Sequence, residues 1–276
     1  MELQDKLELL KRIILSYRSV LVAFSGGQDS AFLLKICALV LPPGKVMAVT
    51  AVSAAYPKGE LAKAKILAKQ IGSRFKIIRT NELGNKKFTD NPVTRCYFCK
   101  QELFSKLIII AKQNKLDFIL EASSLTDRKD YRPGNIAKRQ LKIKSPLIQA
   151  GFNKEDIRLL SKKMGLSSWN KPSLACLASR IPYGVKITAG LLKRIDRAEA
   201  YLNRLGFQQV RLRHYDGLCR IEVDENEISK LMKQRKEIVK KLKGLGYSYV
   251  TVDLEGYRTG SLNEVIGKAN PAPSFI

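Results

Sequence analysis

Short apolar runs alternate with amphipathic segments along the first half of the chain. The apolar runs are rich in Val, Ile and Leu, and they cover residues 19–24, 45–53, 74–80 and 117–123. Segments with helical spacing of apolar residues lie between them, at residues 31–41, 57–72 and 99–115. Near-continuous apolar strands separated by helices are typical of a parallel sheet covered on both faces. The pattern predicts a doubly wound α/β domain, in which ligands bind beyond the carboxyl ends of the strands.

The second half of the chain has a different order of elements. A helix is predicted at residues 154–166, and a polar stretch interrupted by prolines follows it. The later pattern predicts a helix, two strands, a basic helix and a last strand, at residues 187–206, 209–215, 218–223, 230–243 and 247–254. This order favours a small α+β domain with an antiparallel sheet. We therefore expect two domains, residues 1–180 and 181–276.

Composition and charge add constraints on partners and location. The 276 residues include 50 Lys and Arg against 25 Asp and Glu, a formal net charge of +25, which attracts phosphate-bearing partners or keeps the surface solvated. No apolar run reaches the length that spans a membrane, and the first residues do not resemble a signal peptide. We expect a cytoplasmic enzyme with no membrane partner.

The strongest local motif is the segment SGGQDS, which lies between the first predicted strand and the first helix of the alternating pattern. Gly26 and Gly27 allow backbone N–H groups to close around an anion, and the helix N-terminus adds its dipole. Ser25 and Ser30 add hydroxyl groups, and Asp29 caps the helix or helps to hold a cation. The segment lacks the GK[ST] ending of kinase-type phosphate loops, which disfavours transfer of a γ-phosphate.

Cysteines form a second signal. Cys96 and Cys99 make a CxxC pair, which is compatible with zinc, an iron–sulfur cluster or a redox dithiol. Cys176 is either a third thiolate ligand or a small buried residue. Cys37 and Cys219 lie in apolar patterns and are expected in the core.

Charged residues near the predicted strand ends complete the set. Asp127 and Asp130 follow the fourth strand, where they either hold Mg²⁺ on ATP phosphates or stabilise a turn. Arg211 and Arg213 alternate in one strand and so point to one face, where they either bind a phosphate or carboxylate or are solvated.

Taken together, these motifs resemble the LarE family of sulfur transferases, which serve biosynthesis of the nickel-pincer nucleotide cofactor. The resemblance covers nearly the whole chain and is carried by AFSGGQDS, NPVTRCYFCK, DYRPG, NKPSLACLASRIPYG, RAEAYL, VRLRH and RIEV. It implies a PP-loop ATP pyrophosphatase domain, a small C-terminal domain and a homo-oligomer. The implied reaction adenylates a carboxylate of a pyridinium dicarboxylate mononucleotide and replaces oxygen with sulfur.

The resemblance also implies roles for particular residues. Cys96, Cys99 and Cys176 match the branch that holds a [4Fe-4S] cluster, whose open iron carries a sulfide from a donor that the sequence does not identify. ATP and Mg²⁺ would be bound by the loop and by the carboxylate after the fourth strand, namely Ser25, Gly26, Gly27, Asp29, Ser30 and Asp127. The nucleotide substrate would be contacted by Ser179, Arg180, Glu199, Arg211 and Arg213.

Two departures and three alternatives remain. Residues 121–124 stand where the family has an Asp-Gly-Thr-Asn-like turn, and Thr126 stands where a second Asp is usual. Another sulfur source is Cys176 itself, which would end as dehydroalanine. The basic charge is compatible with a PP-loop tRNA thiolase, although no RNA-binding module is recognisable. The remaining alternative is a nucleotide- or metal-binding module without catalysis.

Overall fold

The computed structural model describes residues 2–129, 133–172 and 175–264. The chain divides into two compact units, Met1–Ala175 and Cys176–Ile276. The division lies five residues before the expected boundary at residue 180, because Arg180 pairs with Glu199 inside the second unit. Asp130, a sequence candidate for magnesium binding, lies outside the described residues.

The first unit is built around a parallel sheet. Among the described residues, four strands pair in the order β3-β2-β1-β4, and every pairing is parallel. They are β1 (Val20–Ala23), β2 (Val46–Val52), β3 (Arg74–Arg79) and β4 (Phe118–Leu120). The strand order reverses between β1 and β4, so this sheet has the switch point that marks ligand sites in open α/β sheets.

Helices cover both faces of this sheet. They are α1 (Leu3–Ser16), α2 (Gln28–Val40), α3 (Glu60–Ile71), α4 (Lys86–Thr89), α5 (Arg95–Gln113), α6 (Gly134–Gln140), α7 (Pro146–Gln149) and α8 (Lys154–Lys163). Val20 and Val22 pack in one apolar cluster with α2, and Leu21 packs with Phe104 and Leu107 of α5 in another. Alternate residues of β1 therefore face opposite layers, which confirms the doubly wound α/β class.

Local signals explain where several helices begin and end. Asn153 and Asp156 form a reciprocal capping box at the start of α8, and the Thr188 side chain accepts from Leu191 at the start of the ninth helix. α3 ends at Gly72, which adopts the left-handed conformation that glycine tolerates.

The second unit contains a small sheet beside helices. Its strands are β5 (Val210–Tyr215), β6 (Leu218–Val223) and β7 (Tyr249–Val252), and its helices are α9 (Ala189–Arg204), α10 (Ile228–Lys233) and α11 (Arg235–Gly244). β5 and β6 are antiparallel, whereas β6 and β7 are parallel. The expected antiparallel sheet is confirmed for β5 and β6 but wrong for β7. The helices α10 and α11 connect β6 to β7 by a crossover, which lets the two strands run in the same direction.

Two helix predictions also need correction. The helix expected from Cys99 begins at Arg95, so the CxxC pair lies within its first turns. The single basic helix expected at residues 230–243 is divided at Gln234 into α10 and α11. No helix among the described residues has both the length and the apolar content needed to cross a membrane.

Two leucines of α2 test the packing of the first unit. Leu34 is fully buried, whereas Leu39 is 59% exposed. We expect Leu34→Ala to lower the free energy of unfolding by about 2–5 kcal/mol, because it opens a cavity in the core. Leu39→Ala should change it by about 0.5 kcal/mol or less. Urea denaturation measures both, and equal effects would contradict this packing.

Candidate active site

The SGGQDS segment forms the turn from β1 into α2. Gly26 has a φ of +73°, and a Cβ added to it would lie 2.7 Å from the Cβ of Ala64 in α3. Glycine is therefore required there both by the backbone conformation and by the approach of α3. Gly27 is the N-cap of α2 and lies near the carboxyl end of β1. The first N–H groups of this helix have no acceptor within the helix and point outward from its N-terminus.

Hydroxyl groups complete this turn. The Oγ atoms of Ser25 and Ser30 lie 3.1 Å apart, and the Ser30 hydroxyl also donates to the Gly27 carbonyl at 3.1 Å. Asp29 lies in the first turn of α2 and is partly exposed. The turn thus combines helix N–H groups, two hydroxyls and a carboxylate, a set that suits a phosphate chain with an associated cation.

A cavity of about 270 Å³ lies at the same edge of the sheet. It is lined by Val52, Ser53, Arg79 and Thr80, which follow or end β2 and β3. The sequence indicated this edge but not these residues. Since β2 is paired directly with β1, the cavity and the turn belong to neighbouring strand ends.

Asp127 takes part in a turn after β4. One carboxylate oxygen accepts from the N–H and the hydroxyl of Ser124, at 2.9 and 3.1 Å, and the other lies 3.5 Å from the Nζ atom of Lys154. Asp127 is nearly buried. Its described contacts are those of the turn that the sequence left as an alternative to a magnesium ligand.

Glu121 is the first residue of the segment 121–124, which differs from the Asp-Gly-Thr-Asn-like turn of the family. Its carboxylate accepts from Lys138 at 2.8 Å, from the Ser123 hydroxyl at 2.6 Å and from the Ser145 hydroxyl. These groups form a compact polar cluster at the end of β4. Sequence patterns did not indicate Lys138, because its partner Glu121 lies 17 residues away in the chain.

Cys96 and Cys99 lie three residues apart in α5 and so share one face of the helix. Both side chains are partly exposed. The Cys99 thiol lies 3.8 Å from a carboxylate oxygen of Glu82, which also accepts from the Thr80 hydroxyl at 2.8 Å. Sequence patterns missed Glu82, a buried carboxylate that touches one candidate ligand.

Gly134, the last residue of the DYRPG motif, lies where two helices pack closely. A Cβ at this position would lie 2.9 Å from Lys100 and 3.5 Å from the Cys96 carbonyl. Absence of a side chain therefore lets α6 pack against the turn of α5 that carries the two cysteines.

Cys176 lies at the start of the second unit and is exposed. Its carbonyl accepts from Nη1 of Arg180 at 3.0 Å and from the Ser179 hydroxyl at 2.8 Å. By contrast, Cys37 and Cys219 are buried, as the sequence predicted, and burial raises the pKa of both thiols. Among the described residues, no group of three or more His, Cys, Asp and Glu side chains is arranged to hold a metal ion.

A buried ion pair joins Arg180 to Glu199. The guanidinium donates to both carboxylate oxygens at 2.9 Å, and one of those oxygens also accepts from the Leu212 N–H. Burial lowers the pKa of Arg180, but the Glu199 carboxylate outweighs burial and the pKa is raised overall. This pair connects α9 and β5 to the turn that follows Cys176.

The arginines of β5 are buried, so the solvated alternative is wrong. Arg213 makes a bidentate pair with Glu222 at 2.8 and 2.9 Å and also donates to Ser261 and to the Ser179 carbonyl. The Arg211 guanidinium lies 5.2 Å from the centre of the Tyr257 ring. Sequence reasoning placed these arginines together but missed Glu222, Tyr257 and Ser261.

Arg211 experiences an unfavourable electrostatic environment. Its pKa is lowered first by burial and then by the positive charge of Arg180. A negatively charged ligand beside this guanidinium would offset both effects. The second unit therefore gathers the predicted residues Ser179, Arg180, Glu199, Arg211 and Arg213 into one cluster, in which carboxylates of Glu199 and Glu222 already pair with Arg180 and Arg213.

Substitution of Glu199 tests the buried ion pair. Glu199→Gln keeps the shape but removes the charge that compensates Arg180, so we expect a loss of about 3–5 kcal/mol in the free energy of unfolding. Glu237→Gln is the control, since Glu237 is exposed and its hydrogen bond with the Tyr201 hydroxyl should contribute little to the free energy of unfolding. Urea denaturation compares the two, and an equal loss would contradict the pairing.

Substitution of Gly26 tests the turn. Gly26→Ala adds both backbone strain and a clash with Ala64, and we expect it to abolish measurable ATP binding. Gly44→Ala is the control, because Gly44 has a φ of +83° but no atom within 4 Å of an added Cβ. Titration calorimetry with Mg²⁺–ATP distinguishes them, and unchanged binding by Gly26→Ala would contradict a nucleotide-binding turn.

Comparison with known proteins agrees with this geometry. A family model described as NAD synthase matches residues 6–95, which include the turn between β1 and α2. An uncharacterised protein of Synechocystis sp. is 40% identical over 268 residues, covering 96% of this chain and all of the relative. An uncharacterised protein of Methanocaldococcus jannaschii is 28% identical, covering 88% of this chain and 92% of the relative.

A third relative has an assigned activity. The pyridinium-3,5-bisthiocarboxylic acid mononucleotide synthase of Lactiplantibacillus plantarum is 36% identical over 253 residues, covering 92% of each chain. That match spans both units described above. The chain therefore belongs to the family of the pyridinium-3,5-bisthiocarboxylic acid mononucleotide synthases.

Proposed function

We propose that this protein is an ATP-dependent sulfurtransferase that converts a carboxylate of a pyridinium-3,5-dicarboxylate mononucleotide into a thiocarboxylate. The observation that carries the proposal is an exposed cysteine, Cys176, whose carbonyl is held by Arg180 at the edge of a buried arginine cluster. The activity for which the Lactiplantibacillus plantarum relative is named supports the same substrate class.

In this proposal, the turn between β1 and α2 binds the phosphates of ATP. Ser25, Gly26, Gly27 and Ser30 supply N–H and hydroxyl donors, and the dipole of α2 favours negative charge. Asp29 contributes to Mg²⁺ binding, and Asp127 is a weaker candidate because its turn and Lys154 engage both oxygens. The cavity beside Val52 and Thr80 accommodates the adenosine portion.

The arginine cluster of the second unit binds the acidic nucleotide substrate. Arg211 is the principal contact, since an anion beside its guanidinium would offset the effects of burial and of the Arg180 charge, which lower its pKa. Arg213 is held in place by Glu222 and Ser261, and Glu199 holds Arg180. Ser179 completes the cluster beside Cys176.

The chemistry begins with activation of a poor electrophile. A substrate carboxylate oxygen attacks the α-phosphorus of ATP, pyrophosphate leaves, and an acyl-adenylate forms. Donors at the helix N-terminus stabilise the charge that develops on the departing phosphates. A sulfur nucleophile then attacks the acyl carbon, and AMP leaves with the former carboxylate oxygen.

The thiols of Cys96, Cys99 and Cys176 have the chemistry that an iron–sulfur cluster requires. All three are at least partly exposed, and the first two share a helix face. We propose that these three residues hold a [4Fe-4S] cluster, which supplies a sulfide when bound.

Assembly and location extend the proposal. We infer a homo-oligomer in the cytoplasm, with a small nucleotide rather than a nucleic acid as the substrate. Sedimentation of the purified protein tests the homo-oligomer, and the sedimentation coefficient of a single chain would contradict it.

Replacement of each candidate ligand tests the sulfur source. We expect Cys96→Ala, Cys99→Ala and Cys176→Ala each to abolish sulfur insertion, while substrate- and ATP-dependent pyrophosphate release persists, because the cysteines act after adenylation. Anaerobically purified wild-type protein should contain about four irons per chain, the stoichiometry of a four-iron cluster. Iron and acid-labile sulfide assays measure the cluster content, and the mass of the product measures sulfur insertion.

Matched controls use the buried cysteines. Cys37→Ala and Cys219→Ala should retain iron and sulfur insertion, since both thiols lie in apolar cores. Multiple turnover by any ligand variant would overturn the three-ligand proposal. Absence of iron together with conversion of Cys176 to dehydroalanine would instead assign the sulfur to Cys176 itself.

A further inference from the structure

Two backbone carbonyls of the nucleotide-binding turn are bound by side chains from outside it. The Tyr56 hydroxyl donates to the Ser25 carbonyl at 3.1 Å, and the Lys171 ammonium donates to the Gly26 carbonyl at 2.9 Å. Burial and the nearby Glu60 raise the pKa of Tyr56 to about 12, so its hydroxyl keeps its proton. Both carbonyls therefore accept a hydrogen bond from a side chain outside the turn.

Lys171 is itself held by a second contact. Its ammonium lies 2.5 Å from a carboxylate oxygen of Glu60, and the two side chains are 18% and 14% exposed. Burial raises the pKa of Glu60, but hydrogen bonds and charge from Lys171 and Lys63 outweigh burial and lower the pKa overall. Glu60 is thus ionised, and as the first residue of α3 it is also stabilised by the helix dipole.

These contacts restrict a turn that its glycines make flexible. Glycine has wide conformational freedom, so a peptide at Gly26 can rotate and present its carbonyl oxygen to the ligand. A carbonyl oxygen directed at a phosphate repels it, whereas an N–H group attracts it. The charged hydrogen bond from Lys171 restrains the Gly26 carbonyl, and the N–H of the same peptide, that of Gly27, donates to the Ser25 Oγ at 3.3 Å, on the side of the turn's hydroxyl groups.

We propose that Lys171 is a positioning residue of the ATP site, which holds the Gly26 peptide in the orientation that binds phosphate. The inference rests on the proposed nucleotide-binding role of the turn. Lys171 also lies five residues before Cys176 in the sequence, so one short segment contains both a residue that organises the ATP site and a candidate sulfur ligand.

The test compares two lysines that share Glu60. Lys171→Met removes the charge and the bond to Gly26, whereas Lys63→Met removes only a 3.1 Å pair made by a side chain that is 65% exposed. Titration calorimetry with Mg²⁺–ATP, without the acidic nucleotide, should show about tenfold or greater weakening for Lys171→Met and little change for Lys63→Met. Lys171→Arg should restore most of the affinity, because it keeps a charged donor.

Further measurements separate positioning from loss of structure. Urea denaturation checks that each variant is folded under the conditions of the binding assay, since Lys171→Met also removes a mostly buried pair with Glu60 whereas Lys63→Met removes an exposed one. Lys171→Gln replaces Lys171→Met if the latter does not fold. The KM for ATP in AMP formation should rise more than kcat falls. Equal ATP affinity in the wild type and Lys171→Met would overturn the inference, as would a weakening that Lys171→Arg does not rescue. Because ATP binding is measured alone, a failure of sulfur insertion leaves this test intact.

Discussion

Parallel pairing of β1 between β2 and β4 is the constraint on which the first unit depends. It buries β1 on both faces, so the strand must be apolar and must pass directly into a tight turn. The same pairing brings the carboxyl ends of the strands to one edge of the sheet. The nucleotide-binding turn, the cavity beside Thr80 and the polar cluster of Glu121 all lie at such strand ends.

The turn after β1 combines two opposing requirements. It must be flexible enough to place N–H groups around an anion, which glycines allow, but ordered enough to do so without a large entropic penalty. Ala64 restricts Gly26 sterically, while Tyr56 and Lys171 restrict the carbonyls by hydrogen bonding. Contacts from these neighbouring residues therefore restrict a backbone that its glycines would otherwise leave flexible.

Charge compensation organises the second unit. Buried arginines are tolerated there because Glu199 and Glu222 bind Arg180 and Arg213 in bidentate pairs. Such pairs need several precisely oriented partners, which come from α9, from β6 and from the segment containing Ser261. Arg211 differs in that its guanidinium lies over the Tyr257 ring and donates to the Val210 carbonyl, while burial and the nearby Arg180 lower its pKa.

The sequence by itself determined the class of the first unit, the turn between β1 and α2, the buried state of Cys37 and Cys219, and the family. Those features depend on periodicity and on contiguous motifs, which are local. Only the tertiary structure decided the parallel direction of β7, the helical setting of Cys96 and the partners of Asp127. It also supplied Glu82, Lys171 and Glu222, because each acts through a contact between residues distant in the chain or on another strand. Their chemistry arises from burial and orientation, and a residue type alone specifies neither.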